Sequence, residues 1–146
     1  LGDWKEGQVD FRERYWEALL FGRTVLSFPW VSKEETIAFG EGFGGGLALL
    51  AAALLPGSLR CVALNPFPGD FRGLGMEDMD ELDLVNIAPL CQGEVLMGTC
   101  LMDTYAPPKG QAAIFNHLHC KKMWKLYPKY MHERVNFFEN EMVAFL

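Results

Sequence analysis

The amino-acid sequence predicts an α/β fold in which helices cover both faces of a parallel sheet, a three-layer α/β/α arrangement. Strand-like apolar runs alternate with helix-like segments, as in βαβ units with right-handed crossovers. A turn with five glycines, 40–46, separates one such run from a segment rich in alanine and leucine. Half of the 146 residues are apolar, which is enough for one core, so we expect a single domain over 1–146.

The individual elements follow from apolar spacing and from the glycines and prolines. Apolar residues recur every three to four positions over 9–28, which predicts a long amphipathic helix. A buried strand is predicted at 36–39 and a helix at 47–55, which ends before a Pro-Gly pair. The remaining elements are a strand at 60–64, an irregular acidic stretch at 66–83, a strand at 94–99, a helix at 109–119, a strand at 122–127 and a helix at 133–145.

Composition and charge argue against several classes of function. The formal net charge is -6 and the basic cluster at 121–125 surrounds an apolar strand, so no nucleic-acid partner is expected. The longest apolar run, 47–55, is far shorter than the roughly 20 residues of a membrane-spanning helix, so no membrane partner is expected. The four cysteines lack C-x-x-C spacing, which favours free thiols in the cytoplasm, although their even number leaves disulfides open.

Metal and cofactor sites are not expected either. His117 and His119 point to different sides of a helix, and His117 with Cys120 gives two ligands where a structural zinc needs four. The glycine turn has neither the G-x-G-x-x-G pattern nor a following Lys-Ser/Thr pair, so no nucleotide cofactor is expected. Because the sequence starts at Leu1 without an initiator methionine, we expect the true N-terminus to lie upstream. The tryptophans are expected in the core rather than stacked on sugars: Trp4, Trp16, Trp30 and Trp124.

Chemically informative residues follow three of the predicted strands, where parallel sheets bind their ligands. Gly42 follows the first strand in Gly-Glu-Gly-Phe-Gly, the frame of the G-x-S-x-G nucleophile elbow with glycine in place of serine. Asp103 follows the third strand and His132 the fourth, which gives the order nucleophile, acid, histidine of α/β-hydrolases. Glu41 could activate water beside His132, but a surface glutamate at a helix start is the commoner role. We expect Gly42 to adopt, without steric cost, a positive φ that would strain a serine, so loss of the nucleophile should relax the fold. We expect the glycines 44–46 to let helix and strand approach closely.

Several segments carry motifs in unbroken order. Residues 40–49 contain Gly-Glu-Gly-Phe-Gly-Gly-Gly-Leu-Ala, and 101–108 read Leu-Met-Asp-Thr-Tyr-Ala-Pro-Pro. Residues 64–72 contain Asn-Pro-Phe and Asp-Phe-Arg, 83–86 read Asp-Leu-Val-Asn, and 127–133 contain Tyr-Pro and His-Glu. Together these segments resemble the acetyl xylan esterase and cephalosporin-C deacetylase family, whose elbow reads Gly-Gly-Ser-Gln-Gly-Gly-Gly-Leu-Ala and whose aspartate lies in Leu-Met-Asp-x-x-x-Pro-Pro.

The resemblance implies the C-terminal half of an α/β-hydrolase. It implies that Asp103 is the catalytic acid and His132 the base, that Gly42 stands at the nucleophile position, and that the Phe43 backbone N–H is one oxyanion donor. The family's Ser-Gln is replaced by Gly42 and Phe43, so no hydroxyl is present to form an acyl-enzyme. The family's N-terminal half, with the tyrosine loop that supplies the second oxyanion donor, is absent from the sequence, and the segment 71–83 is shorter than the family's insertion.

We therefore expect an acetyl xylan esterase-like carbohydrate deacetylase domain that is catalytically inactive, with an acetylated carbohydrate or a small ester as its ligand. Two alternatives stay open. One is a non-catalytic carbohydrate-binding or oligomerisation module. The other is a hydrolase in which His132, oriented by Asp103, activates water directly. The strand at 36–39 would form a sheet edge, so we also expect association with the missing N-terminal half or with another copy as a homo-oligomer.

Overall fold

The structure, a computed structural model, describes residues 10–146 as a four-stranded parallel sheet with helices on both faces. The strands lie side by side in chain order: β1 Ile37–Glu41, β2 Arg60–Leu64, β3 Val95–Cys100 and β4 Lys122–Tyr127. The helices are α1 Phe11–Ser27, α2 Phe43–Leu54, α3 Leu84–Ile87, α4 Pro108–His117 and α5 Asn136–Phe145. The predicted α/β fold with a parallel sheet is confirmed.

Alternating side chains along β2 and β3 build a separate core on each face of the sheet. The face toward α1, α2, α3 and α4 carries Cys61, Ala63, Val95 and Met97. The face toward α5 carries Val62, Leu64, Leu96 and Cys100. Each of these eight side chains is at most 1% exposed. Burial on both faces explains why these two strands are almost continuously apolar.

Helix α1 begins after Asp10, whose carboxylate accepts hydrogen bonds from two backbone N–H groups of the first turn at 2.9 and 3.2 Å. Its buried side chains are Phe11, Tyr15 and Leu26. The Tyr15 hydroxyl donates to the backbone carbonyl of Leu82 at 3.0 Å, and burial raises the pKa of this hydroxyl. This contact ties the helix to the segment that precedes α3.

The tryptophans do not fill the core as predicted. Trp16 and Trp30 are 73% and 77% exposed, and Trp124 is half-buried. Leu20, one of the apolar residues of the predicted amphipathic helix at 9–28, is also exposed. Positions 16 and 20 lie on a different side of the helix from the buried residues 11, 15 and 26. The prediction of one broad apolar face was therefore wrong. Trp4 and the predicted helix start at residue 9 lie outside the described residues.

Strand β1 is an edge strand. It pairs with β2 in parallel, and its other edge has no partner strand within residues 10–146. Phe39 in its middle is 52% exposed. The edge position matches the expectation. The predicted burial is found only in part, since residues 36–38 are half-buried and Phe39 is exposed.

The segment between β2 and α3 is more regular than the predicted irregular stretch. Two 3-10 turns, Arg72–Leu74 and Glu77–Leu82, lead into α3. Asp83, which is 4% exposed, accepts hydrogen bonds from the backbone N–H groups of Asp70, Phe71 and Val85 at 3.1, 2.6 and 2.9 Å. One buried carboxylate therefore caps α3 and holds the preceding loop.

The four cysteines are free thiols, and Cys61, Cys91 and Cys100 are buried. Burial raises the pKa of the Cys61 thiol, and it raises that of Cys91 to about 12. These thiols therefore act as small apolar groups. Within residues 10–146, no helix combines the length and the apolar character needed to cross a membrane.

Candidate active site

The residues of interest lie where the strands end. β1 leads into Gly42, β3 leads into Asp103 through a short turn, and β4 leads into the loop that holds His132. The parallel sheet places these ends at one edge. Because the three strands run in the same direction, residues far apart in sequence become neighbours there.

Backbone hydrogen bonds fix the turn between β1 and α2 at Gly42. Its N–H donates to the Leu64 carbonyl at 2.8 Å, and its own carbonyl accepts from the N–H groups of Gly46 and Phe67, both at 3.1 Å. Gly42 has φ 57 and ψ -125, a conformation that side-chain-bearing residues rarely adopt. Another residue at this position would bear a strain of about 1–3 kcal/mol. The positive φ expected at the elbow is therefore present, and glycine adopts it without the steric cost.

The same turn brings backbone segments very close together. A Cβ on Gly40 would lie 2.1 Å from the Gly44 carbonyl oxygen, and one on Gly46 would lie 2.0 Å from the Phe67 carbonyl oxygen. A Cβ on Gly44 would meet nothing within 4 Å, so the expectation that this glycine is needed for close approach was wrong. Helix α2 begins at Phe43, four residues before its predicted start, because the glycine run is already helical.

Asp103 is buried and fully engaged. One carboxylate oxygen, Oδ1, accepts hydrogen bonds from the backbone N–H groups of Tyr105 and Ala106 at 2.8 and 2.9 Å. The other, Oδ2, lies 2.7 Å from Nδ1 of His132. The Asp103 side chain is 0% exposed and the His132 side chain is 39% exposed. Since the carboxylate can only accept, the His132 proton on this side is on Nδ1, which leaves Nε2 free to face the elbow.

Gly42 completes the group geometrically. A Cβ built on Gly42 would lie 3.1 Å from both Nε2 and Cε1 of His132. The elbow is therefore aimed at the ring nitrogen that Asp103 does not use. Phe43, the predicted oxyanion donor, is the first residue of α2, so its backbone N–H is at the positive end of that helix. This is the layout of a nucleophile, histidine and acid triad in which the nucleophile side chain is missing.

The family model for acetyl xylan esterase (AXE1) matches residues 3–81 and 74–146. The chain belongs to the acetyl xylan esterase family. Among solved structures, it is similar to acetyl xylan esterase 1 from Thermoanaerobacterium sp., with 26% identity and a TM-score of 0.83. It is similar to an acetyl xylan esterase from Paenibacillus sp. with 25% identity and a TM-score of 0.82. Each match covers 92% of this chain and 52% of the other, so the chain spans about half the length of these esterases.

A more distant likeness concerns the fold alone. SOBER1 from Arabidopsis thaliana matches with 17% identity and a TM-score of 0.65, over 92% of this chain and 61% of the other. The resemblance to the acetyl xylan esterase family and the α/β-hydrolase type of fold are thus confirmed. The catalytic roles assigned to Gly42, Phe43, Asp103 and His132 stay predictions.

In this member of the acetyl xylan esterase family, no serine stands directly after the end of a strand. The sequence contains three serines: Ser27, Ser32 and Ser58. The first two precede β1 in the chain and the third precedes β2. Cys100 also fails to replace the missing hydroxyl, because it is buried in β3 and burial raises the pKa of its thiol. Among residues 10–146, neither these serines nor Cys100 takes the place of the missing hydroxyl.

Two residues beside the acid and the histidine were not recognised from the sequence. Asn65 follows β2 with φ 48 and is 2% exposed. Its Oδ1 accepts from the backbone N–H of Cys100 at 2.7 Å, which holds the end of β3 next to the end of β2. Tyr105 is 60% exposed, and its ring centroid lies 5.4 Å from that of His132. A short polar residue directly after a strand was the available signal for Asn65, whereas an exposed tyrosine gives none.

The other candidates take no part in the Asp103–His132 hydrogen bond. Glu41 is exposed at the end of β1. His117 lies in α4 with Nδ1 2.8 Å from the Ala113 carbonyl oxygen. In the part of the chain that the structure describes, no group of three or more His, Cys, Asp and Glu side chains is arranged to hold a metal ion.

Proposed function

We propose that this chain is an acetyl xylan esterase-like carbohydrate deacetylase domain that does not hydrolyse esters through an acyl-enzyme. The observation that carries the proposal is the position of Gly42. A Cβ on Gly42 would lie 3.1 Å from Nε2 of His132. On the other side of the same ring, Nδ1 lies 2.7 Å from Oδ2 of Asp103. The machinery for activating a hydroxyl is present, and the hydroxyl is not.

The size of the expected defect follows from known triads. Removing the serine of a comparable triad lowers kcat by about a millionfold, because the histidine and the acid act only through it. A residual rate from binding and from the Phe43 N–H would remain about a thousandfold or more above water. We therefore expect the chain to retain affinity for an acetyl ester while its rate of cleavage is very low.

Ester hydrolysis tests the proposal directly. We expect the purified protein to cleave p-nitrophenyl acetate no faster than its Asp103→Ala, His132→Ala double variant. A rate well above that double variant would contradict the proposal. The comparison isolates the contribution of the acid–histidine pair from nonspecific surface reactivity.

Restoring the hydroxyl gives the complementary test. A Gly42→Ser variant, joined to the family's N-terminal half, should be labelled at residue 42 by a fluorophosphonate, as read by mass spectrometry. The imidazole of His132 must move by a few tenths of an ångström to accept the new Cβ, which its partial exposure permits. The control is the same variant with His132→Ala, which should not be labelled. Labelling of the control would show that the serine reacts without the pair.

A second candidate function is hydrolysis by water that His132 activates. It is favoured by one observation: Nε2 of His132 faces Gly42, which has no side chain, while Asp103 holds the ring through Nδ1. Such a reaction would depend on Asp103 and His132 and would form no covalent intermediate. Measurable acetate release without any acetylated protein in rapid-quench mass spectrometry would establish it in place of the inactive domain.

Ligand binding without turnover is the third reading of the same site. The exposed Tyr105 ring beside His132 offers an aromatic surface of the kind that stacks on sugars. Calorimetry with acetylated xylo-oligosaccharides should give heat with the wild-type chain and less with Tyr105→Ala. Absence of heat with the wild-type chain would exclude a carbohydrate-binding role.

We further propose that the open edge of β1 is covered by chain from the other half of an esterase fold. A groove of about 590 Å³ lies between α1, β1 and α2, and its lining includes Phe21, Leu26, Ile37 and Phe39. Phe21 is 72% exposed. An apolar edge of this kind pairs with another strand, and the chain spans about half the length of the esterases it resembles.

Association is the test of the covered edge. Co-expression with the N-terminal half of an acetyl xylan esterase should give a one-to-one complex by light scattering. A self-dimer under the same conditions would identify a second copy as the occupant instead. A monodisperse monomer at high concentration, with or without the N-terminal half, would contradict the proposal.

A further inference from the structure

Gln111 is a buried amide that no role described so far requires. It lies in the first turns of α4 and is 1% exposed. Its Nε2 donates to the backbone carbonyl of Ala106 at 2.6 Å. Ala106 is itself 1% exposed and belongs to the turn that follows Asp103. The buried Gln111 amide therefore contacts the turn that follows Asp103.

The Ala106 carbonyl needs this partner. It is buried just before Pro107 and Pro108, neither of which has a backbone N–H to donate. A buried carbonyl without a hydrogen bond is unfavourable, and Gln111 supplies one. The opposite amide orientation would set two acceptors, Oε1 and the carbonyl oxygen, against each other, so Nε2 is the atom that faces Ala106.

The same residue connects this bond to the acid. The backbone N–H of Ala106 donates to Oδ1 of Asp103 at 2.9 Å, while its carbonyl accepts from Gln111. Oδ1 is thereby occupied on the turn side, which directs Oδ2 to Nδ1 of His132. A continuous series of hydrogen bonds runs from Gln111 through Ala106 and Asp103 to His132.

The other end of the Gln111 amide shows that packing alone does not explain the residue. Its Oε1 is buried and has no hydrogen-bond partner among the residues that the structure describes. An apolar side chain of the same length would fill the space without leaving a buried acceptor unpaired. The donor is thus the part of the side chain that the site uses.

We propose that Gln111 is a positioning residue, which sets the direction of the Asp103 carboxylate and through it the tautomer of His132. The inference rests on the proposed roles of Asp103 and His132 as acid and base. It concerns the hydrogen bond between them and not turnover, so it can be tested in the native sequence, with Gly42 in place.

The readout is the tautomer of His132 by nitrogen NMR of the ¹⁵N-labelled protein at a pH where the imidazole is neutral. The three histidines are distinguished with a His132→Gln variant. In the wild type the proton should be on Nδ1. In Gln111→Met, which keeps the length and loses the donor, the ratio of the Nδ1–H to the Nε2–H form should fall about tenfold. Gln111→Asn, which keeps the amide but is shorter, should give an intermediate ratio, and it serves as the variant to measure if Gln111→Met does not fold.

A stability-matched control separates positioning from general loosening. Leu59, 2% exposed, lies just before β2, away from the strand ends of the site, so Leu59→Ala should destabilise the fold and leave the His132 tautomer unchanged. A wild-type ratio in both Gln111 variants, or an equal change in Leu59→Ala, would overturn the proposal. The proposed function can fail, for instance by measurable esterase activity, without altering this result.

Discussion

The turn after β1 and the turn after β3 make an instructive comparison, because Gly42 presents no side chain at the first turn and Asp103 presents a carboxylate at the second. The β3 turn is held by polar contacts: the Asp103 carboxylate binds two backbone N–H groups and His132. The β1 turn is held by backbone packing, with Gly40 against Gly44 and Gly42 at a positive φ. An elbow built from main-chain contacts keeps its shape without the group it presents, whereas the acid turn depends on its carboxylate.

The largest effect should come from disturbing the elbow. Gly40→Ala places a Cβ 2.1 Å from the Gly44 carbonyl oxygen, a backbone atom that cannot turn away. We expect a loss of about 3 kcal/mol or more in the free energy of unfolding, measured by urea denaturation. In the matched variant Gly44→Ala the new Cβ meets open space. That helical position should gain about 0.5–1 kcal/mol. Equal stability of the two variants would show that backbone packing does not hold the elbow.

The acid turn should respond somewhat less. Asp103→Ala leaves the N–H groups of Tyr105 and Ala106 without their acceptor, and we expect a loss of about 2–3 kcal/mol in urea unfolding. The control is Glu94→Gln, which removes a partly exposed ion pair with Lys121 and should change stability by less than about 0.5 kcal/mol. If Asp103→Ala were as harmless as Glu94→Gln, the turn would owe its shape to something other than the carboxylate.

The smallest effect on stability belongs to the open edge. Phe39→Thr alters a side chain that is 52% exposed, and the unfolding free energy should change by less than about 0.5 kcal/mol. Self-association, followed by sedimentation velocity in the absence of any partner half, should weaken because an apolar contact is lost. Met123→Thr is the matched control on the other edge strand, where the side chain is 45% exposed. An equal effect of both changes would mean that β1 is not the associating edge.

Much of the fold could be predicted because short apolar runs and turn residues mark the strands along the sequence. β2 and β3 are apolar runs bounded by turn residues, and the structure places them within a residue of their predicted limits. The start of α2 was missed because its first turn is glycine-rich, which is typical of a loop. The exposure of Trp16 and Trp30 could not be inferred, since apolar spacing does not reveal which side of a helix the rest of the protein covers.

In the candidate site, too, some residues could be predicted from the sequence and others could not. Gly42, Asp103 and His132 were found because each follows a strand inside a motif with a defined order. Asn65 contacts the backbone N–H and the thiol of Cys100, and Gln111 contacts the backbone carbonyl of Ala106. Nothing in an isolated asparagine or glutamine predicts which group it meets. The partner of Asn65 is 35 residues away in the sequence and that of Gln111 is 5 residues away, so only the folded chain shows these contacts.

The strand order of the sheet has a consequence for biosynthesis. Since β1 to β4 are adjacent in chain order, each strand can join the growing sheet as it leaves the ribosome, with no gap held open for a later one. The contacts of Asp103 Oδ1 with the N–H groups of Tyr105 and Ala106 are local in sequence, whereas the contact of Oδ2 with His132 spans 29 residues and needs β4 beside β3. The long-range hydrogen bond to the imidazole can therefore form on a carboxylate that its own turn orients.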